Sequence, residues 1–240
     1  LAKILRSELA KKNGTFHLGA KVEEISQSEV KFSVNDESQA AQGERVLVAT
    51  GRRPNVANLG LEELRVDYDE RGGIKVDERC ATNVPGVWAA GDVTGRAQLA
   101  HAASRMAEVV VHNITGRKDH MRYDTIPSVV YTSPEVAVVG LTKEQAIERG
   151  LKVTTGKIPM SVNARYLAEH PGERGLCKVV IEEGTRRLLG VHMIGGACSE
   201  MIFGAVTMLE TELREEEIDE IVFPHPTASE VIKDVFMTVR

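Results

Sequence analysis

The chain has 240 residues, 42% of them hydrophobic and 27% charged, with a formal net charge of -5 at pH 7. That length buries one large core or two smaller ones, and two folded units are expected. A net negative chain with no basic run lacks the electrostatic footprint of a nucleic-acid binder, and no apolar run reaches the roughly 20 residues of a membrane-spanning helix.

Taken in chain order, Leu1, Ile4, Leu5 and Leu9 fall on one helical face and predict a helix over residues 1–11. The helix starts in mid-pattern on Leu rather than Met, so the chain is expected to be part of a longer protein. Alternating apolar and polar residues predict strands over 17–26 and 29–35, forming an antiparallel ribbon. The apolar run Val46, Leu47, Val48 and Ala49 predicts a buried strand ending at Gly51, where the missing side chain permits close backbone approach to a ligand. Arg52 and Arg53 follow, read equally well as surface charge. A second apolar run, Val87 to Ala90, ends in Gly91 and Asp92 and precedes a helix predicted to start near Leu99. Strand-to-helix junctions gather loop atoms and helix N-terminal amides, which makes this a candidate ligand site, although an aspartate there also serves simply to satisfy turn amides.

The organisation changes near residues 116–122, the predicted linker. Beyond it the patterns predict a helix over 142–149, strands over 152–158, 176–182 and 190–194, and helices over 198–212 and 215–221, an α+β arrangement. The acidic stretch 210–220 reads as a solvated helix face, and Met193, Met201 and Met208 as core or dimer contacts. Asn163, Ala164 and Arg165 lie in a segment expected to order only in a dimer. The three cysteines, Cys80, Cys177 and Cys198, fit neither a disulfide framework nor a metal site and point to a reducing cytoplasm.

The most informative stretch is Phe-Pro-His-Pro-Thr-Ala-Ser-Glu, residues 223–230. Pro224 and Pro226 remove two backbone donors and restrict His225, which places the imidazole in advance of any substrate, and a cis X-Pro bond is open to the motif. Thr227 and Glu230 match the Thr-x-x-Glu capping box, with Val231, Ile232, Val235 and Phe236 following at helical spacing. Glu230 is therefore read two ways: as a cap for backbone amides, or as the acceptor that fixes the tautomer and raises the basicity of His225.

His-Pro-Thr-x-Ser-Glu resembles the C-terminal motif of the flavin-dependent class I pyridine nucleotide-disulfide oxidoreductases. Four further segments occur in that family's order: residues 49–55 (ATGRRPN), 82–92 (TNVPGVWAAGD), 99–101 (LAH) and 126–135 (IPSVVYTSPE). Residues 99–101 and 128–140 are most similar to the dihydrolipoamide dehydrogenase branch. The resemblance runs from about Phe16 to the end, roughly the second half of the family's usual length. It implies an α/β remnant of FAD- and NAD-binding domains plus an α+β interface (dimerisation) domain with an antiparallel sheet and helices. Residues 1–52 would be the C-terminal part of the NAD-binding domain, 53–120 that of the FAD-binding domain, and 121–240 the interface domain. It further implies that Gly51 touches NAD, that Gly91 and Asp92 meet the flavin ribityl chain, and that Gln98, Leu99, Ala100 and His101 lie against the isoalloxazine ring, His101 by proximity rather than by proton transfer. His225 would be the base that deprotonates a dithiol, held by Glu230, and one subunit of a homodimer would serve the disulfide of the other. Lipoyl-bearing components of 2-oxo acid dehydrogenase complexes are the implied partners.

No Gly-x-Gly turn and no close cysteine pair occurs in this chain. The family's glycine-rich cofactor turns and redox disulfide are thus absent, and the chain alone is expected to be inactive. A glutathione-reductase-like disulfide reductase fragment and a non-catalytic dimerisation module are the alternatives.

Overall fold

The computed structural model describes residues 1–239. The backbone divides into two compact units, Leu9–Arg53 and a larger one formed by Leu1–Glu8 together with Pro54 onward. The first helix, α1 (Ala2–Lys11), is the one predicted; Leu1, Ile4, Leu5 and Leu9 are all half-buried.

In the smaller unit, β1 (Lys21–Ile25), β2 (Glu29–Val34) and β3 (Glu37–Gln42) form an antiparallel meander in sequence order. The β2–β3 hairpin turns on Asn35 and Asp36, with φ 51° and 65°. Two successive positive φ values are what a tight primed turn requires, and Asn and Asp tolerate them best after Gly. Phe32 is the buried anchor of this unit, 4% exposed and stacked on the His17 ring at 4.7 Å. The strand predicted over residues 46–49 does not form; Leu47 is 88% and Val48 59% exposed. A continuous apolar run makes a strand only where neighbours supply a ladder and cover both faces, and no described strand lies beside this one.

The larger unit begins with the short hairpin β4 (Tyr68–Asp69) and β5 (Gly73–Ile74), over a small core of Leu61, Val66, Ile74 and Ala89. The run 87–90 is likewise not a strand. It makes a single bridge, Ala81 to Trp88, and only Ala89 of the run is fully buried, because no described partner extends the pairing. Helix α2 (Ala100–Ile114) follows, with Leu99 as its N-cap, and packs Met106 and Val109 against Cys80 and Met121.

Residues from 128 onward build one five-stranded antiparallel sheet from β6 (Ser128–Val130), β7 (Val136–Gly140), β8 (Val153–Pro159), β9 (Leu176–Glu182) and β10 (Leu188–Ile194), in the order β6-β7-β10-β9-β8. Strand β10 is central and buried at every position. One face is covered by α3 (Lys143–Glu148), whose Ala146 packs with Leu141, Val180 and Leu189. Thr142 and Gln145 cap α3 reciprocally, the Thr142 hydroxyl accepting from the Gln145 N–H at 3.2 Å and the Gln145 side chain accepting from the Thr142 N–H at 2.9 Å. Against the other face lie α4 (Ala164–Glu169), α5 (Cys198–Glu210), α6 (Glu215–Glu220) and α7 (Val231–Asp234). Tyr166, Met201, Ile202, Ala205, Ile218, Val231 and Ile232 join this principal core. Among the described residues no helix is long and apolar enough to cross a membrane.

Candidate active site

The 223–230 motif leaves the end of α6 as an exposed loop and re-enters the core at Val231 and Ile232, which are 0% and 1% exposed. The His225–Pro226 peptide bond is cis. Thr227 ties the loop to itself: its hydroxyl donates to the Pro224 carbonyl at 2.7 Å, and its N–H donates to Glu230 Oε2 at 2.9 Å. The other Glu230 oxygen, Oε1, accepts from His225 Nδ1 at 2.9 Å. Glu230 divides its two oxygens, one accepting from the backbone and the other from the imidazole. The Thr227 N–H first, and His225 second, keep the Glu230 carboxyl below its ordinary range.

An ionised carboxylate only accepts, so Nδ1 carries the proton and the lone pair falls on Nε2. That nitrogen has no protein partner among the described residues, and the His225 side chain is 79% exposed against 23% for Glu230. A cavity of 520 Å³ lies elsewhere, lined by Arg96, Tyr123, Arg149 and Arg187 among others and by nothing from the 223–230 loop. The imidazole stands on an open surface with its inner edge fixed and its outer edge presented.

The second group gathers at the start of α2. Gly91 has φ 84°, and a Cβ built on it would lie 3.3 Å from Ala103 Cβ, in the first turn of that helix. Its N–H points at Met106 Sδ, 3.4 Å away, so Gly91 is seated directly on α2. Asp92 follows Gly91 at the start of a 3-10 turn, while Gln98 and Leu99 lead into α2, whose first two residues are Ala100 and His101. Leu99, as N-cap of this 15-residue helix, makes no side-chain capping hydrogen bond. His101 is exposed and donates from Nε2 to the Pro127 carbonyl at 2.8 Å, a bond that orients the ring. Gly51 belongs to the smaller unit; it has φ 110°, and a Cβ there would meet nothing within 4 Å.

Other titratable groups are structural. His192, in the core, donates to the Leu141 carbonyl at 3.0 Å and is held neutral by burial, which lowers its pKa. All three cysteines are free and buried; burial pushes Cys177 up to about 12 and raises Cys198 as well. Such thiols are poor nucleophiles. Asn163 has hydrogen-bond partners within this chain. It is 6% exposed, caps α4 by accepting from the Tyr166 N–H at 2.9 Å, and donates to the Thr227 carbonyl at 2.9 Å. The sequence signal for the cap was Asn preceding a helical pattern; nothing in the spacing announces the link to Thr227, 64 positions away.

Residues 1–107 match the family model described as pyridine nucleotide-disulphide oxidoreductase, and residues 126–236 match the dimerisation-domain model of the same family. The chain is 36% identical over 244 residues to a dihydrolipoyl dehydrogenase of Cupriavidus necator, covering all of this chain and 51% of that protein. It is 37% identical over 240 residues to a mitochondrial dihydrolipoyl dehydrogenase of Caenorhabditis elegans, covering 98% and 48%. Among solved structures, the HOCl-induced flavoprotein disulfide reductase RclA of Escherichia coli superimposes with a TM-score of 0.83 at 27% identity, covering 100% of this chain and 55% of that one. The chain thus spans about half the length of the relatives it matches. With two models of one family matched in succession on a backbone that follows a solved disulfide reductase from end to end, the chain belongs to the pyridine nucleotide-disulphide oxidoreductase family.

Proposed function

We propose that the chain is the C-terminal portion of a flavoprotein dihydrolipoamide dehydrogenase and supplies its acid/base group. The observation that carries this reading is the Glu230 carboxylate spanning the Thr227 N–H and His225 Nδ1, with Nε2 presented outward. A thiol of pKa about 8.5 is mostly protonated at neutral pH, and only its thiolate attacks a disulfide. His225 Nε2 would accept the proton of a dihydrolipoamide thiol, and Glu230 would stabilise the imidazolium formed. General-base assistance of this kind is worth about 10² to 10⁴ in rate.

The residues present fit one wall of a flavin site. Gly91 adopts a conformation that glycine alone takes easily, Asp92 follows it, and residues 98–101 enter the N-terminus of α2, where helix N-terminal charge would favour a reduced, anionic ring. FAD, when bound, supplies the two-electron relay between thiols and NAD. Asp92 would hold the ribityl chain, residues 98–101 would flank the ring, and Gly51 would leave room for NAD. This assigns residues 1–52 to the end of an NAD-binding domain, 53–120 to the end of an FAD-binding domain and 121–240 to the interface domain; the compact-unit boundary at Arg53 supports the limit near residue 52, while Leu1–Glu8 group with the larger unit.

Because its thiols are buried and unpaired, the chain by itself would hold a base with no redox disulfide to serve, and it would be inactive. Its free, buried cysteines suit a reducing cytoplasm. Exposed apolar side chains on the C-terminal helices and loops, Tyr131, Phe203, Val222 and Met237 at 79%, 74%, 92% and 70%, suit pairing with a second copy. Lipoyl-bearing components of 2-oxo acid dehydrogenase complexes would be the partners in turnover. Reconstitution tests the reading: this chain mixed with the N-terminal half of a family member should regain flavin and dihydrolipoamide-dependent NAD reduction, and neither half alone should show it. Flavin uptake without any turnover would favour a non-catalytic module.

A further inference from the structure

We propose that Asn163 is the positioning residue of the His225–Glu230 pair, an inference that rests on the proposed role of His225 as base. The pair sits on an exposed loop whose own hydrogen bonds are internal: Thr227 to Pro224, Thr227 to Glu230, Glu230 to His225. Phe223 and Ala228 pack against the core on either side of His225, and the loop also takes a polar tether from outside itself. The Asn163 amide supplies it, donating from Nδ2 to the Thr227 carbonyl at 2.9 Å. Thr227 is the residue whose N–H holds Glu230; the carbonyl that Asn163 grips is in the next peptide unit, joined to that N–H through the Thr227 Cα alone, so the tether restrains Thr227 and with it the carboxylate and the ring.

Asn163 is itself immobilised from the core side. Its Oδ1 accepts from the Tyr166 N–H at 2.9 Å, and Tyr166 is fully buried. The Tyr166 hydroxyl donates to Glu173 Oε1 at 2.6 Å, and its ring lies so close to Gly195, at the end of β10, that a Cβ there would overlap it. A continuous path therefore runs from the central strand through Tyr166 and Asn163 to Thr227, Glu230 and His225. Asn163, Thr94 and His192 are the buried polar side chains among the described residues, and a buried amide is retained only where its donors and acceptors are matched. Asn163 uses its acceptor for helix α4 and its donor for the loop. The second bond is the one that a capping role alone does not require.

Asn163→Asp separates the two roles, since Asp caps a helix as well as Asn but has no donor for the Thr227 carbonyl. Asn163→Ser, which also caps but does not reach, serves as the second variant should a carboxylate facing that carbonyl unfold the chain. The readouts are the imidazole tautomer of His225 by 15N NMR in histidine-labelled chain, and kcat with KM in the full-length enzyme. Wild type should show His225 as the Nδ1–H form. The variants should melt cooperatively yet drift toward the mixed tautomers of a free imidazole, with kcat lower by about 10 to 10²-fold and KM nearly unchanged. A variant that keeps the Nδ1–H form and full kcat overturns the positioning role while leaving the proposed base intact. A wild type that itself shows mixed tautomers removes the His225–Glu230 pair as a base, and the positioning role with it.

Discussion

Glu230 Oε1 lies 2.9 Å from His225 Nδ1 while Oε2 of the same carboxylate stays on the Thr227 N–H. The imidazole is thereby anchored by a group that is anchored to the backbone, and its tautomer follows from the charge of that group. Glu230→Gln should leave the cap in place, since the amide oxygen still accepts from Thr227. Its NH₂ would then face Nδ1 and turn the lone pair of the ring inward. The full-length enzyme is expected to lose about 10² to 10⁴-fold in dithiol turnover, with the thermal midpoint almost unmoved. Steady-state kinetics beside a melting curve checks both halves of that expectation.

Gly140 ends β7 at φ 79°, with its Cα against the central strand. A Cβ there would run into the Leu189 carbonyl oxygen and stand 2.5 Å from Leu209 Cδ2. Strained backbone and an overfilled core each cost about 1 to 3 kcal/mol, so Gly140→Ala should destabilise the chain by about 2 to 6 kcal/mol. Urea unfolding measures this directly, and an unchanged midpoint would contradict the packing described for β7, β10 and α5.

Asp119 joins the end of α2 to the segment that follows it, accepting from Arg105 at 2.7 Å and from His112 Nδ1 at 2.7 Å. The Arg105 guanidinium first, then His112, hold its carboxyl well below the usual range. A depressed folded-state pKa stabilises the fold fully above the unfolded value of about 4 and loses that contribution as pH falls through the folded value. Stability should therefore decline from about pH 4 downward, and Asp119→Asn should be weaker at neutral pH but flatter across that acid window. Chemical denaturation at several pH values provides the comparison; parallel curves for the two proteins would count against it.

Legibility differed from element to element for physical reasons. Strand β9, Leu176–Glu182, lies where its pattern predicts, because it pairs on both sides within this chain. The runs at 46–49 and 87–90 carry the same apolar signal and form no strand, since an apolar run encodes a demand for neighbours and not the neighbours themselves. Strand β3, with the sequence ESQAAQ, gives no β signal; it is exposed throughout and exists because the Asn35-Asp36 turn folds it onto β2. At the site, the spacing of His225 and Glu230 showed that the two could meet but left cap and partner as alternatives, where the carboxylate in fact divides its oxygens. The contribution of Asn163 depends on a contact across 64 positions, which no local pattern carries.

The most direct test of the account is His225→Ala in the full-length protein, assayed for dihydrolipoamide-dependent NAD reduction alongside its flavin content. Turnover should fall by about 10² to 10⁴-fold or more with flavin fully retained, because the imidazole moves the thiol proton and touches no cofactor-binding residue. Turnover equal to wild type at the same flavin content would contradict it and remove His225 as the base.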